Sequence, residues 1–163
     1  MTVEVVDPGE PSKNGKMDGT VWPKGLPRQD VLGVFVDRNG SRNYIYPIEQ
    51  DQAISWMLMD GVRLEEFENG IFLNFLREGD SVIDAGAHIG CCSLDYSRRV
   101  GKAGRVYAFE PSRDNFLLLQ RNLVINNCVN VSAFQCCLAN SCGASRIYLN
   151  PNNSGDHRLW SMN

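Results

Sequence analysis

One stretch constrains this 163-residue chain more than any other: Asp84-Ala85-Gly86-Ala87-His88-Ile89-Gly90. It follows a short apolar run, Ser81-Val82-Ile83, and precedes a segment with helical character that extends to about Val100. A strand that ends in a glycine turn and re-enters as a helix predicts a ligand-binding βα junction. Gly86 permits a tight turn and a close approach of backbone, and Gly90 lets the helix start near the ligand. The pattern then repeats. Gly101–Gly104 turns into the strand RVYAF (105–109), which ends at Glu110-Pro111. Ser112 is placed to cap a helix carrying Phe116, Leu119 and Leu123 at helical spacing until Asn126-Asn127, and NVSAFQ (130–135) is a third strand. Strand, helix, strand, helix, strand predicts an α/β fold, a Rossmann-like parallel sheet with crossover helices.

The spacing D-x-G-x-x-x-G separates this turn from two commoner sites. A dinucleotide site needs G-x-G-x-x-G so that backbone N–H groups hold a pyrophosphate, and no Gly-Lys-Ser/Thr follows as a P-loop requires. A carboxylate at position 84 would repel a pyrophosphate and suits a ligand with positive charge. S-adenosylmethionine carries a sulfonium and an ammonium. Glu110, at the end of the second strand, is placed to accept hydrogen bonds from both ribose hydroxyls of an adenosine. The bland alternative makes Asp84 a turn cap and Glu110 a solvated strand end.

Upstream, residues 1–30 hold four of the seven prolines (Pro8, Pro11, Pro23, Pro27) and no apolar periodicity, and read as an extended arm. Residues 31–80 form a second unit. VLGVFV (31–36) and NYIYPI (43–48) flank Asn39-Gly40 and predict a hairpin, with Pro47 suited to an edge. Two helices are expected, over 51–59 and 65–77, the second burying Phe67, Ile71, Phe72, Phe75 and Leu76. The third unit, 81–163, is the Rossmann-like domain, in which SRIYLN (145–150) adds a short strand before the loop PNNSGDH.

Composition narrows the function classes. Hydrophobic residues make up 43% of the chain and charged ones 21%, the balance of a folded domain rather than a disordered one. Sixteen basic against nineteen acidic residues leave a net charge of −3, so no basic field draws nucleic acid or an anionic membrane. With no signal-like start and no long apolar run, the expectation is a soluble cytoplasmic protein. The six cysteines (91, 92, 128, 136, 137 and 142) lack a C-x-x-C spacing. They are expected to be reduced thiols serving as small core residues, with no metal site. Cys91 and Cys92 open the helix after the glycine turn, and no redox role is assigned to them.

SVIDAGAHIG, GRVYAFEPSRDNFLLLQRNLVINN and NVSAFQCCLAN together resemble the FkbM-type methyltransferases, class I enzymes that use S-adenosylmethionine. The resemblance runs from about Asp60 through the SGDHRL stretch (154–159). It implies methyl transfer to hydroxyls of small molecules or sugars. It further implies that Asp84, Gly86 and Gly90, with Ala87 and His88 between them, line the methionine end of the cofactor. Glu110 would hold the ribose, Pro111 would lie beside the adenine, and Cys136 and Cys137 would flank it. The family usually has Asn where this chain has His88, and imidazole can still donate a hydrogen bond there. The family's fourth strand, with its Lys-x-Asp-Val-Glu-Gly type segment, has no counterpart here, so an incomplete catalytic domain is expected. The alternative is a cofactor-binding relative without turnover, acting as a binding or partner-dependent module. Without a fourth strand SVIDA would be an exposed edge, open to pairing with a second copy. For the base that a hydroxyl acceptor needs, His157 beside Asp156 and Arg158 is a weak candidate. Family analogy would bring Glu65 towards the methionine end, though a plain acid at a helix start is the simpler reading.

Overall fold

The computed structural model describes residues 33–36, 42–45, 66–150 and 153–159. The arm over 1–30, the helix expected over 51–59, Pro47 and Glu65 lie outside the described residues. Within them the alternation read from the sequence is present. A two-stranded antiparallel ladder pairs β1 (Gly33–Val36) with β2 (Arg42–Ile45), Val36 opposite Arg42 and Gly33 opposite Ile45. Helix α1 (Glu66–Phe75) follows. Then come β3 (Ser81–Ala85), α2 (Cys91–Val100), β4 (Arg105–Phe109), α3 (Arg113–Ile125) and β5 (Val131–Phe134). The last three strands form one parallel sheet in the order β3-β4-β5, with Asp84 beside Ala108 and Phe109 beside Phe134.

Helices α2 and α3 cover one face of that sheet. The core between them holds Ile89, Leu94, Ala108 and Leu119, all fully buried, with Ala87 and Leu123. Ile45 of the hairpin joins this cluster. Three buried asparagines satisfy backbone groups that the crossovers would otherwise strand. Asn130 donates to the carbonyls of Ser97 and Gly101 at the end of α2 and accepts from Ser97 Oγ. Asn122 donates to the carbonyl of Ile89 at 2.8 Å, and Asn115 faces the site described below. Helix α3 stops where Asn127 takes a left-handed φ of 54°, a conformation in which Asn is favoured. The Cys128 N–H then reaches back to the carbonyl of Leu123.

Several expectations are corrected. The stripe expected to bury α1 is largely outward: Phe75 is 76% exposed and Phe72 61%. Polar contacts orient this helix instead, through Asn69 Nδ2 to Asp95 Oδ2 and Arg99 Nε to the carbonyl of Leu73. Gly70 is buried, and these contacts turn Ile71 and Phe75 away from α2. The sheet's other face, with Ile83, Tyr107 and Phe134, is exposed among the described residues. There Phe109 and Phe134 stack with ring centroids 5.1 Å apart. The strand expected over 145–150 shrinks to one antiparallel bridge, Tyr148 with Arg158. Ser112 stands at the N-cap of α3, but its side chain makes no capping bond. None of the six thiols is in a disulfide, yet only Cys91 and Cys128 pack against the core, while Cys136 and Cys142 are exposed.

Gly104 lies where α2 crosses into β4. A Cβ there would come within 2.6 Å of the Asp80 carbonyl and within 2.5 Å of Val100 Cβ. Gly104→Ala is therefore expected to destabilise the fold by about 1–3 kcal/mol in urea unfolding. Gly143→Ala, where nothing lies within 4 Å, should stay within about 0.5 kcal/mol of the parent. Equal midpoints for the two variants would contradict the packing described.

Candidate functional site

Parallel strands bring their C-terminal ends to one edge of the sheet. Asp84, Glu110 and Cys136, separated by 26 residues at each step, therefore stand along that edge. The turn after β3 is fixed against β4 by one acceptor: the carbonyl of Phe109 receives the N–H of Gly86 at 2.9 Å and that of Ala87 at 3.0 Å. This double bond to the neighbouring strand requires the left-handed φ of 84° at Gly86, where a side chain would be strained. The space where its Cβ would stand is open, with nothing within 4 Å. Gly90, at φ 97°, closes the turn through its N–H to Ala87, and a Cβ there would meet Leu119 at 2.7 Å.

Between these glycines His88 takes a left-handed φ of 52°, unusual for a residue with a side chain. Two contacts hold it. Its N–H donates to Glu110 Oε2 at 2.9 Å, and its ring Nε2 lies 2.7 Å from Ser154 Oγ. Glu110 is buried, and its other oxygen accepts the Ser112 N–H at 2.8 Å, with Asn115 Nδ2 at 3.5 Å. Asp84, at the end of β3, is buried and accepts from Ser93 Oγ. Tyr96, one turn further along α2, has its phenol pushed upward. Burial is the largest cause, followed by the charges of Cys92 and Asp84, so the hydroxyl stays protonated beside that carboxylate.

The last described segment forms a strap. Tyr148 and Arg158 exchange backbone bonds of 2.7 and 3.1 Å, and a 3-10 turn, Ser154–Asp156, lies between them. The Asn150 N–H donates to His157 Nδ1 at 3.1 Å, Asn150 Nδ2 reaches Asp156 Oδ2, and Arg158 pairs with Asp156 Oδ1 at 2.7 Å. The carbonyl of Ser154 accepts from Asn115 Nδ2 at 3.2 Å, which places the strap beside Glu110.

The structure thus brings Asp84, Gly86, Ala87, His88, Gly90 and Glu110 into one constellation. Pro111 is half-buried next to Glu110. Cys136 is exposed just beyond β5, its N–H bound to the carbonyl of Phe134, and Cys137 is half-buried. His157 is tied into its own loop. Its Nδ1 accepts the Asn150 N–H at 3.1 Å. Ser93, Asn115 and Ser154 escaped the sequence reading. Asn115 was findable, since it stands four residues before Leu119 on the stripe that faces the core.

The fold and this edge define a class: an α/β domain whose parallel strands end in an acidic glycine turn at the carboxyl edge, where sheets of this kind commonly bind ligands. Residues 84–162 match the sequence profile of the methyltransferase FkbM domain. It is 38% identical over 79 residues to "Methyltransferase sdnD" of Sordaria araneosa, covering 48% of this chain and 30% of that protein. It is 31% identical over 80 residues to "Methyltransferase 1" of Beauveria bassiana (strain ARSEF 2860), covering 49% and 32%. The chain thus spans about a third of the length of these curated relatives. Among solved structures it is similar to a SAM-dependent O-methyltransferase from Thermotoga maritima, with 23% identity, a TM-score of 0.42, and 64% of this chain and 40% of that one covered.

Two outcomes follow from the site. Glu110→Gln puts an NH2 group opposite one of two backbone N–H donors, and should cost about 1–3 kcal/mol of unfolding free energy. An unchanged stability would show that the carboxylate does not hold the turn. Arg158 and then Asn150 hold the Asp156 carboxyl below its ordinary value of 3.8 by hydrogen bonds. The folded-state value being depressed, this contribution is complete above that value and disappears as pH falls below it. The share of strap amide protection that depends on this carboxyl should therefore be lost, by NMR, only on strong acidification, and Asp156→Asn should abolish that acid-range component.

Proposed function

We propose that residues 84–162 form the S-adenosylmethionine-binding part of a methyltransferase whose acceptor is a hydroxyl of a small molecule or sugar. The observation that carries the reading is the pair of buried carboxylates, Asp84 and Glu110, on either side of an open left-handed glycine. A carboxylate has about four acceptor positions. Glu110 fills at most three, with two backbone N–H groups and the long contact to Asn115, which leaves acceptor capacity for a ribose hydroxyl. Asp84 supplies the negative charge that a cationic methionine end requires, and the open space over Gly86 admits backbone-close contact. The residues present therefore fit the cofactor. Cys136, Cys137 and Pro111 stand along the same edge, where the adenine would extend.

When bound, the cofactor supplies a methyl carbon already activated by its sulfonium. The chain's own contribution is then orientation: Glu110 fixes the ribose, Asp84 fixes the ammonium, and the rigid turn sets the distance between them. The hydroxyl acceptor rests on what the family typically methylates. Work in the cytoplasm belongs to the same reading, as does the lack of a nucleic-acid partner, which the net charge of −3 supports. Among the described residues no helix is long and apolar enough to cross a membrane. Strand β3 ends the described sheet on one side, and pairing of that edge with a second copy is also part of the proposal. A second reading, a cofactor-binding module without turnover, is favoured by one observation: the strap ties up Nδ1 of His157, a histidine that the sequence offered only as a weak candidate for the base.

Calorimetric titration with S-adenosylmethionine, S-adenosylhomocysteine and NAD tests the assignment. Both adenosyl ligands should bind and NAD should not. Asp84→Ala and Glu110→Ala should each weaken binding by about 1–3 kcal/mol. Preferential binding of NAD, or equal affinity in both variants, would overturn it. Binding without label transfer in a methyl-transfer assay across acceptor classes would favour the module.

A further inference from the structure

Glu110 is only 4% exposed, Asn115 3% and Ser154 8%, so the carboxylate that a ribose would need is covered in this conformation. The cover is specific. Asn115 Nδ2 is shared between Glu110 Oε1 and the carbonyl of Ser154, at 3.5 and 3.2 Å. The hydroxyl of the same serine meets the His88 ring at 2.7 Å, while the His88 N–H binds the other oxygen of Glu110. One residue of the strap therefore contacts both side chains that flank the carboxylate. The strap is itself built as a unit, by the Tyr148–Arg158 bridge and the Asp156–Arg158 and Asn150–Asp156 contacts.

We propose that the strap over 153–158 is a gate across Glu110, latched by the contact between His88 Nε2 and Ser154 Oγ, and that it must lift for a ribose diol to reach the carboxylate. The ligand class is an adenosyl thioether or sulfonium with a free 2′,3′-diol, and in this respect the inference rests on the functional reading given above. His88 is a positioning residue here: its N–H orients Glu110 and its ring holds the strap, so one side chain couples the two.

The test uses the full chain, His88→Gly, Ser154→Ala and the double variant. Glycine suits the left-handed backbone at 88 and keeps the N–H that Glu110 accepts, while Ser154→Ala leaves the turn after β3 untouched. Without ligand, hydrogen exchange at the amides of Gly155 and Asp156 should rise about threefold to tenfold in each single variant, and no further in the double variant, because one contact is lost in all three. The association rate for S-adenosylhomocysteine in stopped flow should rise by a similar factor. Unchanged exchange in both single variants, or additive increases in the double variant, would overturn the latch. Faster exchange with an unchanged or slower association rate would overturn the gate while leaving the cofactor reading intact. Failure of the ligand to bind any of the four proteins would remove the cofactor reading and the gate with it, whatever the exchange data show about the latch.

Discussion

A buried carboxylate that accepts two backbone N–H groups from different loops organises this domain. Glu110 takes the N–H of His88, which belongs to the turn after β3, and the N–H of Ser112, which starts α3. Both N–H groups lie at the edge of the sheet, where no ladder partner is available. The carboxylate satisfies them together, and charge-assisted bonds of this kind are stronger than neutral ones. The position of the glycine turn relative to the second crossover is thereby set by one side chain. The Phe109 carbonyl, one residue earlier, fixes the same turn through Gly86 and Ala87. Two consecutive residues at the end of β4 thus fix the turn and the start of α3 at this edge.

The rest of the described fold supports that edge. Parallel pairing brings Asp84 and Glu110 to the same end of the sheet, and the core of Ile89, Leu94, Ala108 and Leu119 holds α2 and α3 against it. The asparagines at 115, 122 and 130 take up backbone and carboxylate groups that the crossovers leave without ladder partners. They do so inside the helical layer, where an unsatisfied carbonyl would be costly. His88 adopts a backbone conformation that side chains disfavour, and its contacts to Glu110 and Ser154 offset that strain. The structural contacts and the proposed binding role fall on the same atoms.

Much of this was legible in the sequence. The bounds of β3, α2 and β4 follow from the apolar runs and the glycine turns, because local periodicity and backbone conformation decide them. Asp84 and Glu110 were readable as well, each being a charged residue at the end of an apolar strand. What the sequence did not disclose depends on contacts between distant segments. The link from His88 to Ser154 spans 66 positions, and no local pattern points to it. Helix α1 shows the limit of periodicity in another way. Its aromatic stripe predicts burial, yet the contacts of Asn69 and Arg99 orient the helix and leave Phe72 and Phe75 exposed. The strand expected over 145–150 gave way to a loop because Asn150 serves the strap, bonding His157 and Asp156.

The proposed adenosyl site turns on Glu110 as the acceptor for a ribose diol, and the most direct measurement alters the ligand and leaves the protein intact. Affinities of the full chain for S-adenosylhomocysteine and for its 2′,3′-dideoxyribose analogue can be compared by calorimetry. Loss of hydroxyls that bond a buried carboxylate should weaken binding by about tenfold or more. Equal affinity for the two ligands would contradict the assignment of Glu110 and, with it, the description of this edge as an adenosyl site.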